Sequence, residues 1–130
     1  MEAYRDEGMS YHYAPPSDYI RISGAERLCE IFNSLQQPFV KGRLWTTDAI
    51  YRETREALAR RTEEDCLAVD MEISGLQAVC DFHGFQLYPF VVTGDVLDQA
   101  EYDVAELDSA NHEFSKFQLA LDIADKIRES

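Results

Sequence analysis

Two carboxylates placed just beyond apolar runs are the residues of this chain best suited to chemistry. The stretch Leu67-Ala68-Val69-Asp70-Met71-Glu72 passes from a short apolar run into a pair of acids, and a helical pattern follows directly. Leu87-Tyr88-Pro89-Phe90-Val91-Val92-Thr93-Gly94-Asp95 repeats the arrangement, ending in a flexible glycine and an acid. In open α/β sheets the ligand crevice lies outside the carboxyl ends of the strands, so two strands that each deliver an acid there predict a shared site built on Glu72 and Asp95. An acid such as Asp95 at that place can act as a general acid, help typically worth about 10² to 10⁴ in rate. Each residue also has a plain structural reading. An acid at a helix start is stabilised by the helix dipole by roughly 0.3 to 1 kcal/mol, and Gly-Asp after a strand is a common turn.

The elements that must position these residues follow from periodicity. Residues 1 to 19 lack a helical repeat and contain Pro15-Pro16, which reads as an extended or irregular lead-in. Ser23 with Glu26 three residues on resembles a capping box, and Leu28, Ile31, Phe32 and Leu35 form an apolar stripe behind it. Gln36-Gln37-Pro38 ends that helix, since proline disfavours helix in the residue before it. Phe39 to Trp45 reads as a strand, and Thr47 or Asp48 caps a helix running through Tyr51, Ala57 and Leu58 to about Arg61. The strand Leu67 to Asp70 and the helix Glu72 to Phe82 come next, with Gly84 as its stop, and Phe85 to Val92 is a further strand. An acidic stretch from Asp95 to Ser109 precedes a final amphipathic helix carrying Phe114, Phe117, Leu119, Leu121 and Ile123. This alternation predicts an α/β protein with a three-layer α/β/α arrangement around a mixed sheet.

Composition sets the class of partner. The 130 residues are 45% apolar, enough for one domain with a sizeable core. The formal net charge is −13, which argues against nucleic acid or an anionic membrane surface as a partner. Cys29, Cys66 and Cys80 form no CxxC pair and read as buried free thiols of a reducing, cytoplasmic compartment. There is no signal-peptide pattern at the start and no apolar run near the ~20 residues that a membrane span needs. His12, His83 and His112 are widely scattered, so no metal site is expected.

Several blocks together are similar to the nucleoside phosphorylase superfamily, the purine and uridine phosphorylases and their nucleosidase relatives. Arg5-Asp6-Glu7-Gly8-Met9-Ser10-Tyr11-His12-Tyr13-Ala14-Pro15-Pro16 resembles the RDEGTSYHYxPP segment of the uridine-phosphorylase-like branch. Trp45-Thr46-Thr47-Asp48-Ala49-Ile50-Tyr51 resembles its S/T-x-D-x-F/L-Y turn, Val69-Asp70-Met71-Glu72 its V-E-M-E signature, and Val92-Thr93-Gly94-Asp95 the V-S-D block of purine-specific members. The resemblance implies a phosphorylase/hydrolase-like fold of which the chain, a single domain over 1–130, is about the C-terminal part. It further implies that Glu72 accepts hydrogen bonds from ribose hydroxyls, that Met71 packs against the nucleoside, and that Asp95 assists the leaving base. Asp70 replaces the first Glu of the signature and is one methylene shorter. Ile50 falls where many members carry a phenylalanine that stacks on the base; it is pocket wall or core. The Arg5 block points to the uridine branch and Asp95 to the purine branch, so base identity stays open.

Phosphorolysis also needs arginines and backbone N–H groups to hold the phosphate co-substrate. The resemblance places those groups upstream of the Arg5 block, and this sequence contains none of them. The expected function is therefore a nucleoside phosphorylase-like pentosyltransferase with no cofactor beyond phosphate, incomplete as this chain. A non-catalytic half-domain or binding module that needs an N-terminal partner, and a nucleoside hydrolase, are the alternatives. An exposed strand edge would favour a homo-oligomer.

Overall fold

The computed structural model describes residues 1–92 and 110–129. Its centre is β3 (Arg43–Thr47), in which Leu44, Trp45, Thr46 and Thr47 are all buried, as expected of a strand covered on both faces. The strand β1 (Glu2–Asp6) runs parallel to β3 on one side and β4 (Cys66–Asp70) runs parallel on the other. The short β2 (Tyr19–Arg21) pairs antiparallel with β1, giving the order β2-β1-β3-β4 among the described residues. The sheet is mixed, as the alternation of elements predicted.

Register decides which side chains share a face. Ala3 lies opposite Leu44, which lies opposite Ala68; one pleat further, Arg5, Thr46 and Asp70 stand in a row on that same face. The helix α3 (Ile73–His83) covers this face, placing Ile73 and Ala78 against Ala3, Leu44, Ile20 and Ile22. Beyond it α1 (Ala25–Ser34) and α4 (Ala110–Arg128) form a second cluster in which Leu28, Ile31 and Phe32 meet Ile123. The opposite face is held by α2 (Arg55–Glu63). Its Arg61, only 8% exposed, places its guanidinium 3.4 Å from the centre of the Tyr4 ring and bonds Glu64, whose carboxylate also accepts from the Tyr19 hydroxyl. Helices on both faces of the sheet give the three layers.

Local sequence accounts for several element ends and corrects others. Gly84 takes φ +73° at the end of α3, the left-handed stop its position predicted. The lead-in is more regular than expected: it contains β1, a 3₁₀ turn at Met9–His12 and β2. The inward face of β1 carries Arg5 beyond Ala3, and Glu7 continues it just past the strand end, so its alternation is not apolar and polar in the usual sense. The strand predicted from Phe39 begins only at Arg43. Val40 is 84% exposed, and Phe39 stacks instead on Phe32 of α1 with ring centres 5.3 Å apart. The helix predicted from Asp48 is two pieces, a 3₁₀ turn at Ile50–Arg52 and then α2, which the Thr54 hydroxyl caps by accepting from the Ala57 N–H at 3.1 Å.

Ser23 does not cap α1, and Glu26 pairs with Lys41 instead of closing a capping box. The Ser23 hydroxyl meets the Gln77 side chain and accepts from the Leu87 N–H at 3.1 Å. The predicted strand Phe85 to Val92 is not paired into the sheet among the described residues. It is pinned to the start of α1 by that bond and by the Gly24 N–H donating to the Leu87 carbonyl at 3.0 Å, while Tyr88 and Phe90 pack into the α1/α4 cluster. A Cβ at position 24 would lie 2.2 Å from the Leu87 carbonyl oxygen, so only glycine permits this approach.

Candidate functional site

The three parallel strands each end by delivering a side chain to the start of α3. From β4, the Asp70 carboxylate accepts from the backbone N–H groups of Glu72 at 2.9 Å and Ile73 at 2.7 Å, filling two of the vacant donors at that helix start. From β3, the Thr46 hydroxyl donates to Asp70 at 2.7 Å and accepts from the Ser74 N–H at 3.2 Å. From the end of β1, Glu7 accepts from the Ser74 hydroxyl at 2.7 Å and, through its other oxygen, from the Ser10 N–H at 2.9 Å. Asp70 is thus committed to the backbone of α3. Its shorter side chain holds the backbone of Glu72, two residues on.

Between the turn after β1 and the first turns of α3 lies a cavity of about 330 Å³. Gly8 and Met9 line it from the turn, Met71, Glu72, Gly75 and Leu76 from the start of α3, and Glu7 and Asp48 complete the lining. This volume falls within the low end of the roughly 300 to 1,000 Å³ of small-molecule sites. The sequence-predicted residues Glu72 and Met71 are brought together here, both exposed to the opening, Met71 to 47%. Ile50 is 62% exposed on the 3₁₀ turn after β3 and is not part of the lining. Asp95 lies outside the described residues.

The lining is acidic. Glu7, Asp48 and Glu72 contribute carboxylates, and no cationic side chain of the described residues lines the cavity. Asp48 is compensated from behind by Arg52, whose Nε lies 3.0 Å away and whose Nη1 reaches Asp6 at 3.2 Å; Asp6 in turn accepts from the indole N–H of buried Trp45 at 3.1 Å. Burial works to raise the Glu7 carboxyl, but the hydrogen bonds of Ser10, Ser74 and Met9 outweigh it and hold the group below its ordinary value, so it is a carboxylate near neutral pH. Among the described residues no three His, Cys, Asp or Glu side chains converge to hold a metal ion. A larger opening of about 590 Å³ lies at the amino ends of the strands, where four of the lining charges form ion pairs, Arg43 with Glu2 at 2.9 Å and Lys41 with Glu26 at 2.7 Å. The strand carboxyl ends are where an α/β sheet places chemistry.

Glu7, Ser10, Thr46 and Ser74 were not singled out as site residues from sequence. The signal for Glu7 was its spacing: it continues the inward series Ala3, Arg5 one step past the strand end. The hydroxyls gave none, because only the strand register brings Thr46 and Ser74 together.

A sheet with this order, helices on both faces and an acid-lined crevice at the carboxyl ends of its parallel strands defines an α/β protein of the open-sheet class. The chain belongs to the phosphorylase superfamily, whose family model matches residues 2–124. It is also similar to uncharacterized protein R802 of Acanthamoeba polyphaga mimivirus, at 31% identity over 84 residues. That match covers 60% of this chain but only 33% of the viral protein, so the chain spans well under two thirds of this relative.

Proposed function

We propose that this chain holds the sugar of a nucleoside in the cavity at the carboxyl ends of β1, β3 and β4, as part of a pentosyltransferase that cleaves the N-glycosidic bond with phosphate as co-substrate. The observation that carries the reading is the joint presence of Glu72 and Met71 in that cavity, with Glu72 fixed at its backbone by Asp70. A carboxylate held there can accept hydrogen bonds from ribose hydroxyls, and the thioether beside it offers an apolar contact to the sugar or base. In the reaction the bond from the anomeric carbon to the base nitrogen breaks, the base takes the electron pair, and a phosphate oxygen bonds to that carbon. Asp95, the proposed proton partner of the departing base, enters on the family resemblance alone. Uridine and purine nucleosides are both within this reading. Among the described residues β4 lies at the end of the sheet with Leu67 58% exposed, which supports association with a second chain.

The acidic lining favours a second reading. Without a cation in the described lining, phosphate has no evident counter-charge, which supports either hydrolysis by water or a binding half that needs another polypeptide. One assay separates these: release of base from uridine and inosine by the purified chain, with and without phosphate, with Asp95→Asn alongside. Phosphate-dependent release that Asp95→Asn removes is the expected result of the first reading. Release without phosphate would replace it with hydrolysis, and no release from a folded sample would leave a binding half.

A further inference from the structure

The buried carboxylate of Glu7 has no role in the reading above, yet it hydrogen-bonds a residue on each side of the cavity. One oxygen accepts from the Ser10 N–H at 2.9 Å in the turn that carries Gly8 and Met9; the other accepts from the Ser74 hydroxyl at 2.7 Å on α3, two residues after Glu72. Both partners are themselves fixed. Ser10 is fully buried and its hydroxyl accepts from Arg5 Nε at 2.8 Å, while the Ser74 N–H donates to Thr46, which donates to Asp70. The gap between the walls is narrow here: a Cβ on Gly75 would lie 3.5 Å from Met9 Sδ and 3.6 Å from Glu7 Oε2.

We propose that Glu7 is a positioning residue for the nucleoside site, a two-ended clamp whose reach sets the separation of Met9 from the Met71 and Glu72 wall. Its length matters more than its charge. An aspartate keeps the charge but is one methylene short of spanning Ser10 and Ser74. A glutamine keeps the span, with its oxygen accepting from the Ser10 N–H and its amide donating to the Ser74 hydroxyl, which can act as acceptor. A residue acting through its charge on the ligand would show the opposite order.

The inference rests on the nucleoside reading for its functional half, so the test has two readouts. The first is residue-resolved amide hydrogen exchange of Ser10, with the Leu44 and Trp45 amides as controls for global folding. The second is the affinity for uridine and inosine by calorimetric titration. Loss of a hydrogen bond to a charged group, held in a buried site, predicts that Glu7→Asp speeds Ser10 exchange and weakens nucleoside binding by about tenfold or more, with control amides unmoved. Glu7→Gln keeps both contacts as neutral hydrogen bonds and is expected to be less impaired than Glu7→Asp in both readouts. A Glu7→Asp chain that matches the wild type in both readouts, or a Glu7→Gln chain that is the more impaired, overturns the proposal. Faster Ser10 exchange with unchanged affinity overturns the positioning role. If the wild type binds neither nucleoside, the functional reading falls, and the exchange order of the two variants alone decides whether Glu7 clamps the cavity.

Discussion

Gly75 lies in the first turn of α3, buried, and faces the turn after β1 across the cavity. Its backbone is ordinary right-handed helix, since Gly84 is the glycine of the described residues with a positive φ. An added Cβ would meet Met9 Sδ at 3.5 Å, Glu7 Oε2 at 3.6 Å and Met9 Cβ at 3.7 Å, all ordinary van der Waals distances. Neither strain nor clash opposes alanine at this position. Alanine exceeds glycine within a helix by about 0.8 to 1 kcal/mol, and somewhat less is expected so near the helix start. Gly75→Ala is therefore expected to stabilise the fold by about 0.5 to 1 kcal/mol, which raises the melting temperature by roughly 2 to 5 °C for a chain of this size. The same methyl group occupies part of the cavity wall between Glu7 and Met9, so nucleoside affinity is expected to fall. Thermal melts and calorimetric titration of the same preparations give the two signs. A destabilised Gly75→Ala chain would refute the spacing between α3 and the Met9 turn, and a stabilised chain with unchanged affinity would refute the place of this wall in the site.

Further outcomes follow from the buried polar groups. Thr47 is fully buried at the end of β3, and its hydroxyl has no hydrogen-bond partner among the described residues. Thr47→Val keeps the shape and removes that group, so it is expected to stabilise by about 1 kcal/mol, seen as a higher urea midpoint at constant slope; a lower midpoint would show that the hydroxyl is paired. Glu7 has a folded-state value depressed below its ordinary 4.5. Its contribution is then fully present above pH 4.5 and is lost as pH falls through the folded value, because the unfolded chain takes up the proton first. Glu7→Gln is expected to flatten the acid limb of the stability profile, and identical limbs in the two chains would contradict the depressed value.

The parts of the fold legible in sequence were those where one face is plainly apolar. The run into Asp70 and the helix ending at Gly84 were read from pattern and punctuation, and both stand within a residue or two of their expected bounds. β1 was not legible because its inward series passes from Ala3 to Arg5 and, just past the strand, Glu7, each satisfied by hydrogen bonds that only the folded turn supplies. Phe39 and Val40 misled in the other direction, apolar residues left in a loop whose strand starts later. Phe85 to Val92 has the composition of a strand, yet its Leu87 backbone is taken by Ser23 and Gly24. The placement of Glu72 and Met71 beside the cavity was legible because they lie between the end of a strand and the start of a helix. The hydroxyls of Thr46 and Ser74 were not, since their role depends on which strands are neighbours and in what register. That information is tertiary, and no local spacing carries it.

The central claim is that Glu72 holds the sugar hydroxyls of a nucleoside, and calorimetric titration of uridine and inosine into the wild type and Glu72→Gln tests it most directly. A hydrogen bond to a charged group contributes about 1.5 to 3 kcal/mol, or roughly ten- to hundredfold in affinity. Saturable binding to the wild type that weakens by that factor in Glu72→Gln, with the melt unchanged, is the predicted result. Equal affinity in the two chains, or no binding to a folded wild type, would contradict it.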